Sequence, residues 1–249
     1  MTLSLVARVR DPQLFGLIIA SSSPAVAARC AHARAGVGAV ASQNITDPAL
    51  GPAVLDALAA GGLEAGRALE RALSKSRFAA YRQLLAIGAY GPPAVHSGAN
   101  TLGRHAAVTG ADAAAAGNLL AAERVPQAML GQFEAAAPPT PAPTATTVTA
   151  TVTATVTATA VAVAFGERLL GALRAGLEQG GEAGPLHSAG LLIVREVSWP
   201  IVDLRVDWSD EPVSALEALW ACYAPQIEDY VVRALDPTRA PSFAVAGDR

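Results

Sequence analysis

The chain has 249 residues, 18 basic and 21 acidic side chains, and a net charge of −3. Its bases are seventeen arginines and a single lysine, Lys75, interleaved with acids; no basic face emerges, which excludes a nucleic-acid partner. Hydrophobic residues make up 52%, and although 57 positions are alanine, this exceeds what a disordered chain carries.

Residues 2–9 alternate, with Leu3, Leu5, Ala7 and Val9 on one face and Thr2, Ser4, Val6 and Arg8 on the other, which predicts a strand. Asp11-Pro12 marks a turn, and the apolar run Leu14 to Ala20 then forms the second arm of a hairpin. A loop of small residues leads to a third strand over 36–44, whose glycines allow close backbone approach. Asp47-Pro48 reads as a helix start, with the helix running to about Ala60 and stopping at Gly61-Gly62. A second helix is expected over 63–75. Strands are expected over 83–89, 94–97 and 106–109, and a helix over 124–136.

Residues 135–166 carry no charge, and 147–158 are Thr-Val-Thr-Ala three times over, preceded by a proline-rich stretch. Threonine and alanine are too weakly apolar for a membrane span. The Thr/Val alternation is a strand pattern in isolation, but a low-complexity insertion in a surface connection, at about 138–164, fits the composition better. No membrane partner is expected. Beyond it come a helix over 165–177, a buried strand over 188–194, and a strand over 202–208 with Val202, Leu204, Val206 and Trp208 inward. Helices over 211–223 and 227–235 close the chain. The crossover spacing of a regular βαβ repeat is absent, so an α+β architecture of antiparallel sheets is predicted. One domain over 1–223 carries the insertion, and 224–249 forms a C-terminal helix and tail.

Cys30 and Cys222 are too far apart for a disulfide framework and read as small buried hydrophobes in a reducing compartment. The N-terminus lacks the pattern of a secretory signal. A cytoplasmic location is therefore expected.

Methionine before a small residue is normally removed during synthesis, leaving Thr2 with a free α-amine. Such a threonine carries both a nucleophilic hydroxyl and a base, the amine having an ordinary pKa of about 7.7–8.0. The chemistry needs the residue at the very start of a rigid strand, where Thr2 is expected to lie.

Several segments resemble one family in fixed order. They are MTLSLVAR at 1–8, RAGVGAVASQ at 34–43, PALG at 48–51, AGNLLA at 116–121, SAGLL at 188–192, VDLRVD at 202–207 and DYVVRALDP at 229–237. The chain resembles an uncharacterised bacterial family, the domain of unknown function numbered 1028, over nearly its whole length apart from about 138–164. The resemblance implies the N-terminal-nucleophile (Ntn) hydrolase fold, a four-layer αββα sandwich of two antiparallel sheets, with hydrolysis presumed and no settled substrate. It places Thr2 as nucleophile and makes Asn118 a candidate oxyanion donor, although a turn or capping role fits Asn118 equally. Gln43 and Asn44, at the end of the third strand, become candidate substrate-binding donors, and strand-end capping is their alternative. Arg34 or Arg8 could at most supply charge.

Proteasome-like members of that fold use a lysine beside the nucleophile. Here Lys75 ends a predicted helix and reads as solvated, so catalysis would rest on the Thr2 amine. Cys30-Ala31-His32 has no nearby pair to complete a zinc site, and His96, His105 and His187 are isolated. No glycine-rich phosphate loop is present. No metal and no cofactor are expected. The function expected is an amidohydrolase acting on a small amide or acylated amino acid. The alternative is a non-catalytic binding or assembly protein on the same fold, and in either case a homo-oligomer.

Overall fold

A computed structural model describes residues 2–136 and 150–242, with side chains of the second stretch from Ala158 onward. Among the described residues the chain forms two antiparallel sheets flanked by helices. Strands β1 (Thr2–Val9) and β2 (Leu14–Ser21) form the predicted hairpin, in register from Leu3 opposite Ala20 to Val9 opposite Leu14. A five-residue helix, α1 (Val26–Cys30), leads into β3 (Ala31–Arg34) and β4 (Gly38–Asn44). Helices α2 (Leu50–Ala59) and α3 (Ala65–Leu73) follow, then β5 (Arg82–Gly88), β6 (Ala94–Ser97), β7 (Ala106–Thr109) and β8 (Ala113–Asn118). Next come α4 (Val125–Ala135), α5 (Ala150–Glu178), β9 (Ser188–Val194), β10 (Val202–Val206), α6 (Pro212–Tyr223) and α7 (Ile227–Leu235).

The larger sheet has the order β10-β9-β2-β1-β8-β7 and the smaller β3-β4-β5-β6. One apolar cluster joins Leu3, Leu5 and Ile18 of the larger sheet to Phe133, Phe165 and Trp220 from α4, α5 and α6. A second lies between the sheets and includes Val6, Leu17 and Ile19 on one side and Ala39, Ala41 and Leu85 on the other. A third joins Val40 and Leu84 to Val54, Leu55 and Leu69 of α2 and α3. The central strands are thus covered on both faces, which is why β1 and β2 are almost continuously buried.

Several expectations change at this level. The region read as a loop before Gly36 contains α1 and β3, and Gly36, at φ 71°, turns the chain between β3 and β4. Strand β8 was not foreseen, because Ala-Ala-Ala-Ala-Gly-Asn has no β-branched or aromatic residue. Its alanines serve where space is short, with Ala113 and Ala115 facing the helices and Ala114 and Ala116 facing the other sheet. Helix α5 starts at Ala150, not Phe165, and Ala162 is fully buried in the core; residues 137–149 of the low-complexity segment lie outside the described residues. Trp208 is not inward but exposed, since β10 ends at Val206, and it stacks on His187 at 4.3 Å. Cys222 is also exposed, whereas Cys30 is buried.

Trp220 of α6 lies directly on Gly166 of α5, where an added Cβ would fall 2.2 Å from the indole ring. Gly166→Val is therefore expected to cost about 1–3 kcal/mol through overpacking. Gly131 of α4 has open space around it and is exposed, so Gly131→Ala is expected to gain about 0.4–1 kcal/mol. Urea unfolding of both variants checks the pair.

Candidate active site

Strand β1 opens with Thr2, whose direct partner is Asn118, the last residue of β8. Alternation turns Thr2 and Ser4 toward the space between the sheets, along with Asn118 from β8. Thr2 is 4% exposed and Asn118 fully buried. The Thr2 hydroxyl donates to Ser21 Oγ, at the end of β2, over a long 3.4 Å. Ser21 Oγ is 2.9 Å from Ser23 Oγ, which accepts from the Arg29 guanidinium at 3.0 Å. Small hydroxyls therefore run outward from Thr2 along the strand end.

Inside the inter-sheet space a chain of amides crosses from one sheet to the other. Ser4 Oγ donates to Gln43 Oε1 at 2.7 Å, and Gln43 Nε2 donates to Gln83 Oε1 at 2.8 Å. Asn118 Nδ2 donates to the same Gln83 oxygen at 3.1 Å. Gln83 Nε2 in turn donates to Ser97 Oγ at 3.0 Å and to the Gly117 carbonyl at 3.2 Å. Gln43, Gln83 and Asn118 are all fully buried. Burying three amides in an apolar seam is tolerable only because each bonds another. Asn118 keeps one amide N–H beyond the bond to Gln83, and its Oδ1 is buried without a hydrogen-bond partner. A ligand entering beside Thr2 would find both a donor and an acceptor.

The structure brings Thr2, Asn118 and Gln43 together. Asn44 lies at the rim, held at φ 72°, with Nδ2 donating to the Tyr81 carbonyl at 2.7 Å and Oδ1 accepting from Leu102 N at 3.2 Å. Both ends of its side chain are engaged in stapling two loops. Arg34 is not brought to the site. It pairs with Gly38 at the opposite end of β4, six residues and about 20 Å from Asn44, and it forms an exposed ion pair with Asp56 at 2.8 Å. Arg8 points between the sheets but is engaged with Asp112, Gly88 and Gly91. Lys75 is exposed past the end of α3, in the helix pair outside the smaller sheet.

Gln83, Ser21 and Glu182 escaped the sequence reading. Gln83 sits in an expected strand, but nothing in its neighbours marks it as the hub of a network. Glu182 follows the Gly180-Gly181 turn after α5, is 5% exposed, and accepts from Ser22 N through both oxygens at 3.2 and 3.3 Å. Burial pushes its carboxyl up to about 7, against the charge at the chain's start and the Ser22 hydrogen bonds, which act to lower it. Burial also raises the Cys30 thiol and lowers the His32 imidazole. Neither belongs to a metal-binding group; among the described residues no cluster of three metal ligands exists.

Gln83→Ala is expected to strand Asn118 Nδ2 without an acceptor and to leave Gln43 Nε2 only its long bond of 3.4 Å to the Ala116 carbonyl. Each lost partner costs about 1–3 kcal/mol, so a total destabilisation of roughly 2–4 kcal/mol is expected by urea unfolding. A double-mutant cycle with Asn118→Ala should show clear non-additivity.

Among solved structures, the crystal structure of protein SPO2555 from Silicibacter pomeroyi is similar to this chain. It is 28% identical, with a TM-score of 0.73, over 92% of this chain and 89% of that one. Among curated proteins, none matches. The model of the family of unknown function DUF1028 matches residues 2–216, beginning at the threonine that opens the central strand. On that match over most of its length, the chain belongs to the DUF1028 family.

Proposed function

We propose that this protein is an N-terminal-nucleophile amidohydrolase with the four-layer αββα arrangement of that class. The reading rests on one observation above all. Thr2 is the first residue of the central strand β1, is paired with Asn118, and adjoins the buried amide cluster at one end of the inter-sheet space. Removal of Met1 would free the α-amine. Thr2 Oγ would then attack an amide carbonyl carbon as its proton passes to that amine. The spare Asn118 N–H would stabilise the oxyanion. Collapse breaks the C–N bond, the ammonium returns the proton to the leaving nitrogen, and water hydrolyses the acyl-threonine ester. A small amide or acylated amino acid is the substrate class proposed.

Two features support a cytoplasmic setting. Cys30 and Cys222 are both unpaired, as in a reducing compartment. Among the described residues no helix is long and apolar enough to cross a membrane.

The test is intact mass followed by labelling with an acyl-transfer probe. A chain starting at Thr2 and labelled at Thr2 supports the reading; quantitative retention of Met1 sinks it. The second reading, a non-catalytic homo-oligomeric assembly protein, draws on the exposed Trp208, Leu219, Tyr230 and Leu235 of the C-terminal elements. Oligomerisation without Thr2-dependent labelling across varied probes would favour it.

A further inference from the structure

Glu182 is a buried carboxylate that the mechanism above leaves without a task. Its place in the fold is specific. In the larger sheet β1 lies between β2 and β8. Ser22, which donates to both Glu182 oxygens, directly follows the last residue of β2. Leu120, which forms an isolated antiparallel bridge with Glu182, lies two residues past the last residue of β8. The next residue, Ala183, donates its N–H to the Leu119 carbonyl at 2.9 Å. Glu182 is thus tied to the extensions of both strands that flank β1, across the end at which β1 begins.

Its surroundings hold little else that is charged and free. Arg29 is engaged with Ser23 and the Pro24 carbonyl. Arg104 donates to the Ala121 carbonyl, and Arg124 to Gln179 at 2.6 Å. The His187 ring is near the Ser209 carbonyl and Asp210 and stacks on Trp208. Glu123 and Glu178 are exposed. Among the described residues no arginine, lysine or histidine forms an ion pair with Glu182, whereas the buried Arg8 pairs with Asp112 and the buried Arg195 with both Glu196 and Glu228. A buried carboxylate without a cation is costly. The α-ammonium at position 1 acts to lower the Glu182 carboxyl, and removal of Met1 would pass that charge to Thr2.

We propose that Glu182 is a positioning residue for the α-amine of Thr2, accepting its N–H so that the nitrogen lone pair is turned toward Oγ. The inference rests on the amidohydrolase reading for its purpose, but not for its test. During acylation the Oγ–H proton moves to the amine, and the carboxylate holds the ammonium so formed. The ammonium later gives that proton to the leaving nitrogen, and Glu182 ends each cycle in the state in which it began. This is the service a buried carboxylate performs for a catalytic base elsewhere: orientation, and stabilisation of the base's charged form.

The test reads the amine itself. Full-length protein, its start fixed by intact mass, is treated with acetic anhydride across pH 5–10, and acetylation of the N-terminal peptide is quantified by mass spectrometry. In the wild type the amine is expected to titrate above the ordinary range of about 7.7–8.0. Glu182→Gln should lower that value by about one pH unit or more, and Glu182→Asp should restore part of it. A wild-type amine titrating at or below the ordinary range overturns the proposal even if Glu182→Gln does not fold. An equal value in all three proteins does the same. Acyl-probe labelling of the same samples separates the two readings. A shifted amine without labelling leaves the Glu182 pairing standing and the hydrolase reading fallen; Thr2-dependent labelling with an unshifted amine gives the reverse. A chain that retains Met1 overturns both.

Discussion

Thr2→Ala is expected to abolish acylation by a reactive ester or amide probe, with a fall on the order of 10³-fold or more, while the protein stays folded. The hydroxyl is the one group of Thr2 that the proposed chemistry consumes, and alanine offers no substitute nucleophile. Thr2→Ser keeps an N-terminal hydroxyl and is expected to retain labelling. Folding should be little affected in either variant. The bond from Thr2 to Ser21 is long, at 3.4 Å, and a marginal neutral hydrogen bond contributes no more than about 1 kcal/mol. Since the register of Thr2 against Asn118 is made by backbone, strand β1 keeps its start. Single-turnover labelling followed by mass spectrometry, with thermal melts of both variants, measures the two effects separately. Equal labelling of wild type and Thr2→Ala would remove the nucleophile assignment.

Arg8→Ala carries the largest expected cost to stability, about 3–5 kcal/mol. Arg8 is 3% exposed in the space between the sheets. Its Nε meets Asp112 Oδ1 at 2.7 Å, Nη1 donates to the Gly88 carbonyl at 2.6 Å, and Nη2 to the Gly91 carbonyl at 2.8 Å. One side chain on β1 therefore ties the larger sheet to the end of β5 and the turn after it. Truncation takes the Arg8 donors from the buried Gly88 carbonyl and the part-buried Gly91 carbonyl and leaves a void where the guanidinium lay. Asp112 adds a pH signature. Burial alone would raise its carboxyl, but the hydrogen bonds and charges of Arg8 and Arg10 hold it below the ordinary value of 3.8. A depressed carboxylate contributes stability above its unfolded value and loses it as pH falls through its folded one. The stability gap between wild type and Arg8→Ala should accordingly narrow as pH is lowered through and below about 3.8. Because Asp112 is 37% exposed, solvent screens part of that contribution. Urea unfolding at pH 7 and pH 3 reads both effects.

Strand β1 was legible as a strand because its alternation survives in a single line of residues. That one face meets the helices and the other the second sheet was not, since burial on both sides depends on chain that arrives much later. Strand β8 shows the limit most clearly. Alanine suits helices and tight seams alike, and only the approach of β1 and β7 on either side selects extended backbone for residues 113–118. Trp208 failed in the other direction: period-2 alternation continued past Val206, but the ladder to β9 did not.

At the candidate site, Thr2, Asn118 and Gln43 could be named from motifs that resemble DUF1028, and the fold gathers them. Asn44 and Arg34 were named on the same grounds, yet one staples loops at the rim and the other pairs with Asp56 at the far end of its sheet. Gln83 and Glu182 had no motif. Their standing comes from partners 35 and 160 residues away in the chain.

By itself, then, the sequence determined what short-range chemistry can carry: the alternation of β1, the turns, the helix pairs, and a threonine at position 2 with a single distant lysine. Tertiary structure alone decided which polar side chains share a buried seam. Hydrogen bonding among buried amides and carboxylates is a property of sheet order and register, and neither is written in the spacing of any one segment.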